Sequence, residues 1–352
     1  MMVINHSRLR QELGSIWNSH DPFQSTMDLL SGSPAGESRM LIGGELVGSL
    51  TGKTFVNIDP TTEESLGEVA DAGPEDIERA ISAARHAFDD TDWSRDAQFR
   101  RHCLLQLHAG LTRAADQLRA TAVREIGIAV RTTYAFHSDF PISYIPYFAD
   151  LATSYEYEHP LADQTWSAGT RRIVRREAVG VVAAITPWNF PLYSLVTKLA
   201  PALAAGSTVV LKPAPQSPWH ATLVAKIIAE ETDFPPGVIN IVPTSDNTVA
   251  ELLTTDPRVD LVHFTGSTAV GKRVMANAAS RVARVSLELG GKSANVLLDD
   301  ADFEDVRPQA AGMVCMNAGQ GCVLPTRIVD PALALRGSRR PRQAGIRDDL
   351  LR

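Results

Sequence analysis

Val179-Gly180-Val181-Val182-Ala183-Ala184-Ile185-Thr186-Pro187-Trp188-Asn189-Phe190-Pro191 decides the fold. An apolar, β-branched run stops at Thr186. A loop stiffened by two prolines follows, and residues 192–205 then carry helical apolar spacing. The rhythm repeats downstream. Apolar runs at 208–211, 238–242, 261–264 and 284–287 alternate with helical patterns at 217–231, 246–254 and 268–279. Short strands alternating with longer helices define an α/β fold, a doubly wound parallel sheet whose ligands sit at the carboxyl ends of its strands. Residues 179–290 are its main part.

Residues 1–37 are polar, with a Gly/Ser/Pro cluster, and read as a loosely ordered extension; Met40 would also serve as a start. Residues 38–163 form the first part of the same domain. They hold two short strands around a turn (41–44 and 54–57) and a helix opened by Pro74-Glu75-Asp76. A further helix spans 96–118, with Leu104, Leu107, Leu111 and Leu118 on one face and Cys103 as a structural thiol. Residues 164–178 alternate basic and β-branched side chains. That suits a ribbon pairing with another chain, or a solvated hairpin. From Pro331 to Arg352 neither helical nor strand period holds, and six arginines accumulate. A frameshift or truncation near codon 330 is the expectation there.

The chain has 352 residues, 44% hydrophobic and 21% charged, with a formal net charge of -7. That length divides into two or three domains, and the acidic balance argues against nucleic acid as partner. Three cysteines, Cys103, Cys315 and Cys322, form neither a disulfide framework nor a zinc pattern, so no metal is expected. Residues 1–23 lack the apolar core of a signal peptide, and the run 179–185 is far short of the ~20 residues that span a membrane. The expectation is a cytoplasmic protein with no membrane partner.

Chemistry concentrates at strand ends. Met316-Asn317-Ala318-Gly319-Gln320-Gly321-Cys322 leads small and amide residues into one cysteine. Glycines clear the approach, Asn317 and Gln320 can fix the turn, and the Cys322 N–H can face an oxyanion formed when the thiolate attacks a carbon electrophile. Asn189, in the rigid loop, is either a turn residue or a second oxyanion donor. Lys212, after the second strand, binds ribose hydroxyls or a phosphate, or is simply solvated. Phe264-Thr265-Gly266-Ser267 runs a strand into a helix whose first amides can hold phosphate, although the chain lacks the GxGxxG fingerprint. Glu288 precedes Leu289 and two glycines; a carboxylate there is a general base or a surface charge.

Together, WNFP, KPA, FTGS, ELGGK and NAGQGC resemble the aldehyde dehydrogenase superfamily, in family order and with family-like spacing, over about residues 40–329. The resemblance implies a cofactor domain, an α/β catalytic domain of which residues 291–330 are the incomplete start, and a small oligomerisation ribbon at 164–178, hence a homo-oligomer. It implies Cys322 as nucleophile, Asn189 as oxyanion donor and Glu288 as base. Lys212 would bind the adenosine ribose, and Gly266 and Ser267 the pyrophosphate. Thr186, Pro187, Trp188 and Leu289 complete the cofactor side, while Phe190, Tyr193 and Thr197 line a substrate tunnel. The implied reaction oxidises a small-molecule aldehyde to an acid through a thiohemiacetal and thioester on Cys322.

Two departures modify that expectation. Many NAD-using members carry a Glu three residues after the KPA lysine; here Pro215 stands there, followed by Gln216. Without that carboxylate a 2′-phosphate is not repelled, so NAD is the first expectation and NADP stays open. The second departure is the text after residue 330, where members normally continue through most of the catalytic domain. Two alternatives follow: a non-catalytic remnant that at most binds dinucleotide, and a CoA-acylating semialdehyde dehydrogenase, against which Glu288 favours hydrolysis.

Overall fold

A computed structural model describes residues 24–31, 36–162 and 170–329. The chain starts with helix α1 (Gln24–Ser31), then β1 (Met40–Ile42) and β2 (Glu45–Val47). Strands β3 (Thr54–Ile58) and β4 (Ser65–Ala70) precede α2 (Pro74–Asp90), α3 (Ala97–Arg113) and α4 (Ala115–Ile126). A π-helical turn, Thr133–His137, leads into α5 (Asp139–Ser154), followed by β5 (Glu158–Pro160) and β6 (Ile173–Arg175). The alternating half then runs β7 (Val181–Ile185), α6 (Pro191–Ala204), β8 (Thr208–Lys212), α7 (Trp219–Glu231), β9 (Ile239–Ile241), α8 (Asn247–Thr255), β10 (Leu261–Gly266), α9 (Thr268–Ala279) and β11 (Arg284–Leu289). Last come β12 (Ala294–Val296), α10 (Phe303–Cys315), a short 3-10 turn (Met316–Gly319) and β13 (Arg327–Val329).

Seven strands form the main sheet in the order β11-β10-β7-β8-β9-β1-β2. The first five are parallel, as the alternation requires. The sheet is nevertheless mixed, because β1 joins β9 antiparallel through Leu41 and Ile241, and β2 folds back on β1. Residues 41–44 and 54–57 therefore do not form the expected strand pair. Gly43 and Gly44 both take positive φ, the demand of a two-residue hairpin, so β1 turns onto β2 while β3 pairs with β4.

Period-two burial divides the core between the two sheet faces. Val182, Ala184, Val209, Leu211, Ile239 and Ile241 pack with α3, α5, α6 and α7. Their neighbours Val181, Ala183, Val210, Val262 and Phe264 pack with α2, α8 and α9. The single helix expected over 96–118 is two helices, broken at Ala114, which caps both. Asp96 starts the first by accepting the Phe99 N–H at 2.9 Å.

The N-terminal residues 24–31 depart from a loose extension. Thr26 is fully buried against α4, its hydroxyl in contact with Asp116 and with the Tyr134 hydroxyl. The described part of the ribbon is β5 paired antiparallel with β6, so the hairpin begins before residue 164; its residues 163–169 lie outside the described residues. The arginine-rich tail from 331 lies outside them as well. β12 and β13 pair in parallel across α10, with Val296 and Val329 exposed. No described helix is long and apolar enough to cross a membrane.

Candidate active site

The carboxyl ends of β7, β8, β10 and β11 open on one cleft of about 720 Å³, and the Cys322 loop closes one side of it. Thr186, Pro187, Trp188 and Asn189 enter from the loop after β7, Lys212 from the end of β8, Gly266 and Ser267 from the turn after β10, and Glu288 and Leu289 from β11. Ten residues singled out by sequence thus share one cavity with Cys322 among them. Phe190, Tyr193 and Thr197 do not line that cleft. Phe190 stacks on His137, Tyr193 faces the rings of Phe140 and Tyr144, and the Thr197 hydroxyl donates to the Tyr193 carbonyl within α6.

Lys212 is buried at the end of its strand. Burial pulls its ammonium pKa down to about 8, with Asp71 as the opposing charge. Ser267 is the N-cap of α9, its hydroxyl accepting the Val270 N–H at 3.3 Å, so the first turn of that helix faces the cleft. Gly266 has no room for a side chain: a Cβ would stand 2.5 Å from the Phe264 ring. A buried cation and a helix N-terminus lining the same cleft fit a ligand carrying phosphates and ribose hydroxyls.

The cysteine loop contributes Gln320, Gly321 and Cys322 to the same lining. Asn317, Ala318 and Gly319 all take positive φ, and two of these are not glycine. Such conformations cost about 1–2 kcal/mol per residue and persist only where the surroundings hold them. Here the Asn317 amide nitrogen donates to the carbonyls of Asn189 and Gln320, both at 3.1 Å. Asn189 also donates to the Gln320 carbonyl, at 2.8 Å. Asn189 is therefore tied to the cysteine loop, with one amide proton committed to holding it and the other free for a ligand. Cys322 is exposed at the loop's end, and Gly321 packs under Leu324.

Sequence reading missed two side chains here. Lys198, buried in α6, donates to the Thr265 hydroxyl at 2.6 Å, and its pKa is lowered to about 8 by burial, with Glu288 opposing. A lone lysine inside the apolar pattern PLYSLVTKLAPALA was the available signal. His137 contacts Asn317 from the π turn; no periodicity marks it.

A family model described as the aldehyde dehydrogenase family matches residues 47–331. This chain belongs to that family. The aldehyde dehydrogenase motifs account for the five segments that meet in the cleft. The putative aldehyde dehydrogenase DhaS of Bacillus subtilis is 37% identical over 296 residues, covering 83% of this chain and 58% of its own length. Among solved structures, betaine aldehyde dehydrogenase from Staphylococcus aureus in complex with NAD+ superposes with a TM-score of 0.85 at 33% identity, covering 92% of this chain and 63% of that one. A mutant of aldehyde dehydrogenase C from Pseudomonas syringae, complexed with NAD+ and octanal, gives 0.79 at 34% identity, over 86% and 61%. The chain spans about three-fifths of the length of these relatives.

Proposed function

We propose that the chain oxidises an aldehyde to a carboxylic acid with NAD(P), Cys322 serving as nucleophile. One observation carries the reading: Cys322, Asn189, Glu288, Lys212, Gly266 and Ser267 all line a single cleft. The Cys322 sulfur bonds the aldehyde carbon, and the oxyanion of the thiohemiacetal takes the Cys322 N–H and the free Asn189 amide proton. Bound NAD(P) would supply the hydride acceptor, seated by Lys212, Gly266 and Ser267. Glu288 takes the proton of the water that attacks the resulting Cys322 thioester; the C–S bond breaks and the thiolate is restored. Pro215 and Gln216, in place of a carboxylate, leave room for either NAD or NADP.

In this reading residues 38–163 and 179–290 make the cofactor domain, the catalytic layer begins at 291, and Phe190, Tyr193 and Thr197 flank the aldehyde. The β5–β6 ribbon, with Ile173 and Val174 exposed, is the surface assigned to pairing with another copy. The test is turnover of an aliphatic and aromatic aldehyde panel by the purified chain with NAD or NADP, followed by absorbance of the reduced cofactor. Loss of all turnover in Cys322→Ala is the expected result.

A second reading is dinucleotide binding without turnover. It is favoured by the exposure of Cys322 and Glu288, because the oxidation needs a nucleophile and carbonyl held away from bulk water. Calorimetric binding of NAD with no turnover of any aldehyde would select it over the first.

A further inference from the structure

The geometry points to His137 as the positioning residue of the cysteine loop: through Asn317 it fixes the Gln320 carbonyl and, with it, the turn that presents Cys322. The inference rests on Cys322 as nucleophile, and it assigns the loop's order to a residue 180 positions away in sequence. His137 ends the π turn that enters α5, a local backbone form frequent at functional sites. Its ring is 1% exposed and stacks on Phe190, with centroids 4.9 Å apart and planes 13° apart. Phe190 in turn follows Asn189, so one stacked pair ties the π turn to the loop after β7.

The hydrogen bonds run in one direction. Asn317 is 2% exposed, and its amide nitrogen is engaged by two carbonyls. Its oxygen must then accept, so the His137 Nε2, 2.7 Å away, carries the proton. Burial lowers the His137 pKa to about 4, with the Asn317 contact opposing and His220 adding to it, so the ring is neutral near pH 7. A neutral ring in this tautomer donates once, at Nε2, and the Asn317 oxygen receives that bond. Asn317 can then hold both carbonyls while keeping its left-handed φ of 54°. Removal of the His137 donor leaves the Asn317 oxygen buried and unpaired. The amide is then free to turn over, which leaves the Gln320 carbonyl held by Asn189 alone and lets Asn317 and Ala318 leave their strained conformations. His137 touches no reacting atom in this scheme; it acts through Asn317.

The experiment uses the full chain and two readouts: the rate of Cys322 alkylation by iodoacetamide relative to Cys315, and amide hydrogen exchange of the peptide carrying residues 316–324. His137→Phe keeps ring volume and the stack on Phe190 but cannot donate. It should slow Cys322 alkylation roughly tenfold and speed exchange of the loop. His137→Gln restores a donor and should return both readouts towards the parent. Asn317→Ala combined with His137→Phe should add little to either alone, as expected of residues acting as one unit. Should His137→Phe fail to fold, Asn317→Asp, which keeps an acceptor for His137 and removes both donors, is read in the same way. Parent-like alkylation and exchange in His137→Phe, or His137→Gln as damaged as His137→Phe, overturns the proposal. If the parent's Cys322 reacts no faster than Cys315 while loop exchange still follows the His137 donor, the positioning role stands and the nucleophile reading is the one that fails.

Discussion

Lys198 Nζ donates to the Thr265 hydroxyl across 2.6 Å, joining the middle of α6 to the carboxyl end of β10. Thr265 lines the cleft and lies opposite Glu288 in the register of β10 and β11. A cation buried there without a paired carboxylate is costly in its charged form, and the cost depends on pH.

Lys198 has an ordinary value of 10.5 and a folded value of about 8, lowered by burial. Below pH 8 both folded and unfolded chains hold the proton, and the full burial cost is present. Between the two values the unfolded chain binds more protons, so stability rises with pH, by roughly 3 kcal/mol once both are passed. Lys198→Met should be the more stable form at about pH 7, by a margin that shrinks as pH approaches 10. Urea denaturation of both proteins at the two pH values measures this; an unchanging difference would place the ammonium in solvent.

Glu125 on α4 should be worth far more than a surface acid. Its carboxylate accepts the Trp219 N–H at 2.6 Å, the His220 Nδ1 contact at 2.7 Å and the Asn57 amide at 2.8 Å, all buried. Helix α7 has Pro218 as N-cap and no side-chain cap of its own, so Glu125 satisfies its first amides from outside. Glu125→Ala should cost about 3–5 kcal/mol, because it strips one partner from a buried network. A thermal midpoint lower by roughly 10 °C is expected, and an unchanged midpoint would contradict it.

The three thiols should separate by reactivity. Cys103 is fully buried in α3, and burial pushes its pKa up to about 12. Cys315 and Cys322 are both exposed. With limiting iodoacetamide, mass spectrometry should find label on Cys322 first, and Cys103 should react only on unfolding. Label on Cys315 ahead of Cys322 would count against the nucleophile assignment.

What the sequence revealed follows the range of the physics. The alternating half was legible because each strand is apolar and each break carries its own signal: Gly266 and Ser267 end β10 and cap α9 within two residues. The strand-end lining of the cleft followed, since strand ends in such a sheet converge by topology. Pairings set by distant segments were not legible. Nothing near Leu41 announces Ile241 as its sheet partner, and nothing near His137 announces Asn317. Phe190, Tyr193 and Thr197 came from motif resemblance, and the structure sets them outside the cleft lining, with Phe190 on His137 of the π turn and Tyr193 against Phe140 of α5. Local periodicity could not reveal that a π turn would form there.

Cofactor choice can be read at Pro215. That residue lines the cleft next to Lys212 and Gln216, where an acidic side chain would face the adenosine ribose in the proposed reading. Pro215→Glu places a carboxylate there. It should repel a 2′-phosphate and accept hydrogen bonds from a 2′-hydroxyl. NADP affinity should then fall roughly tenfold or more, the equivalent of about 1.4 kcal/mol, while NAD binding holds or improves. Lys212→Met should weaken both dinucleotides, because it removes the buried cation that either ribose would meet. Titration calorimetry with the two cofactors and three proteins gives the comparison. Equal losses of NAD and NADP in Pro215→Glu would mean that the adenosine ribose lies elsewhere in the cleft, and unchanged binding in Lys212→Met would remove Lys212 from the cofactor wall.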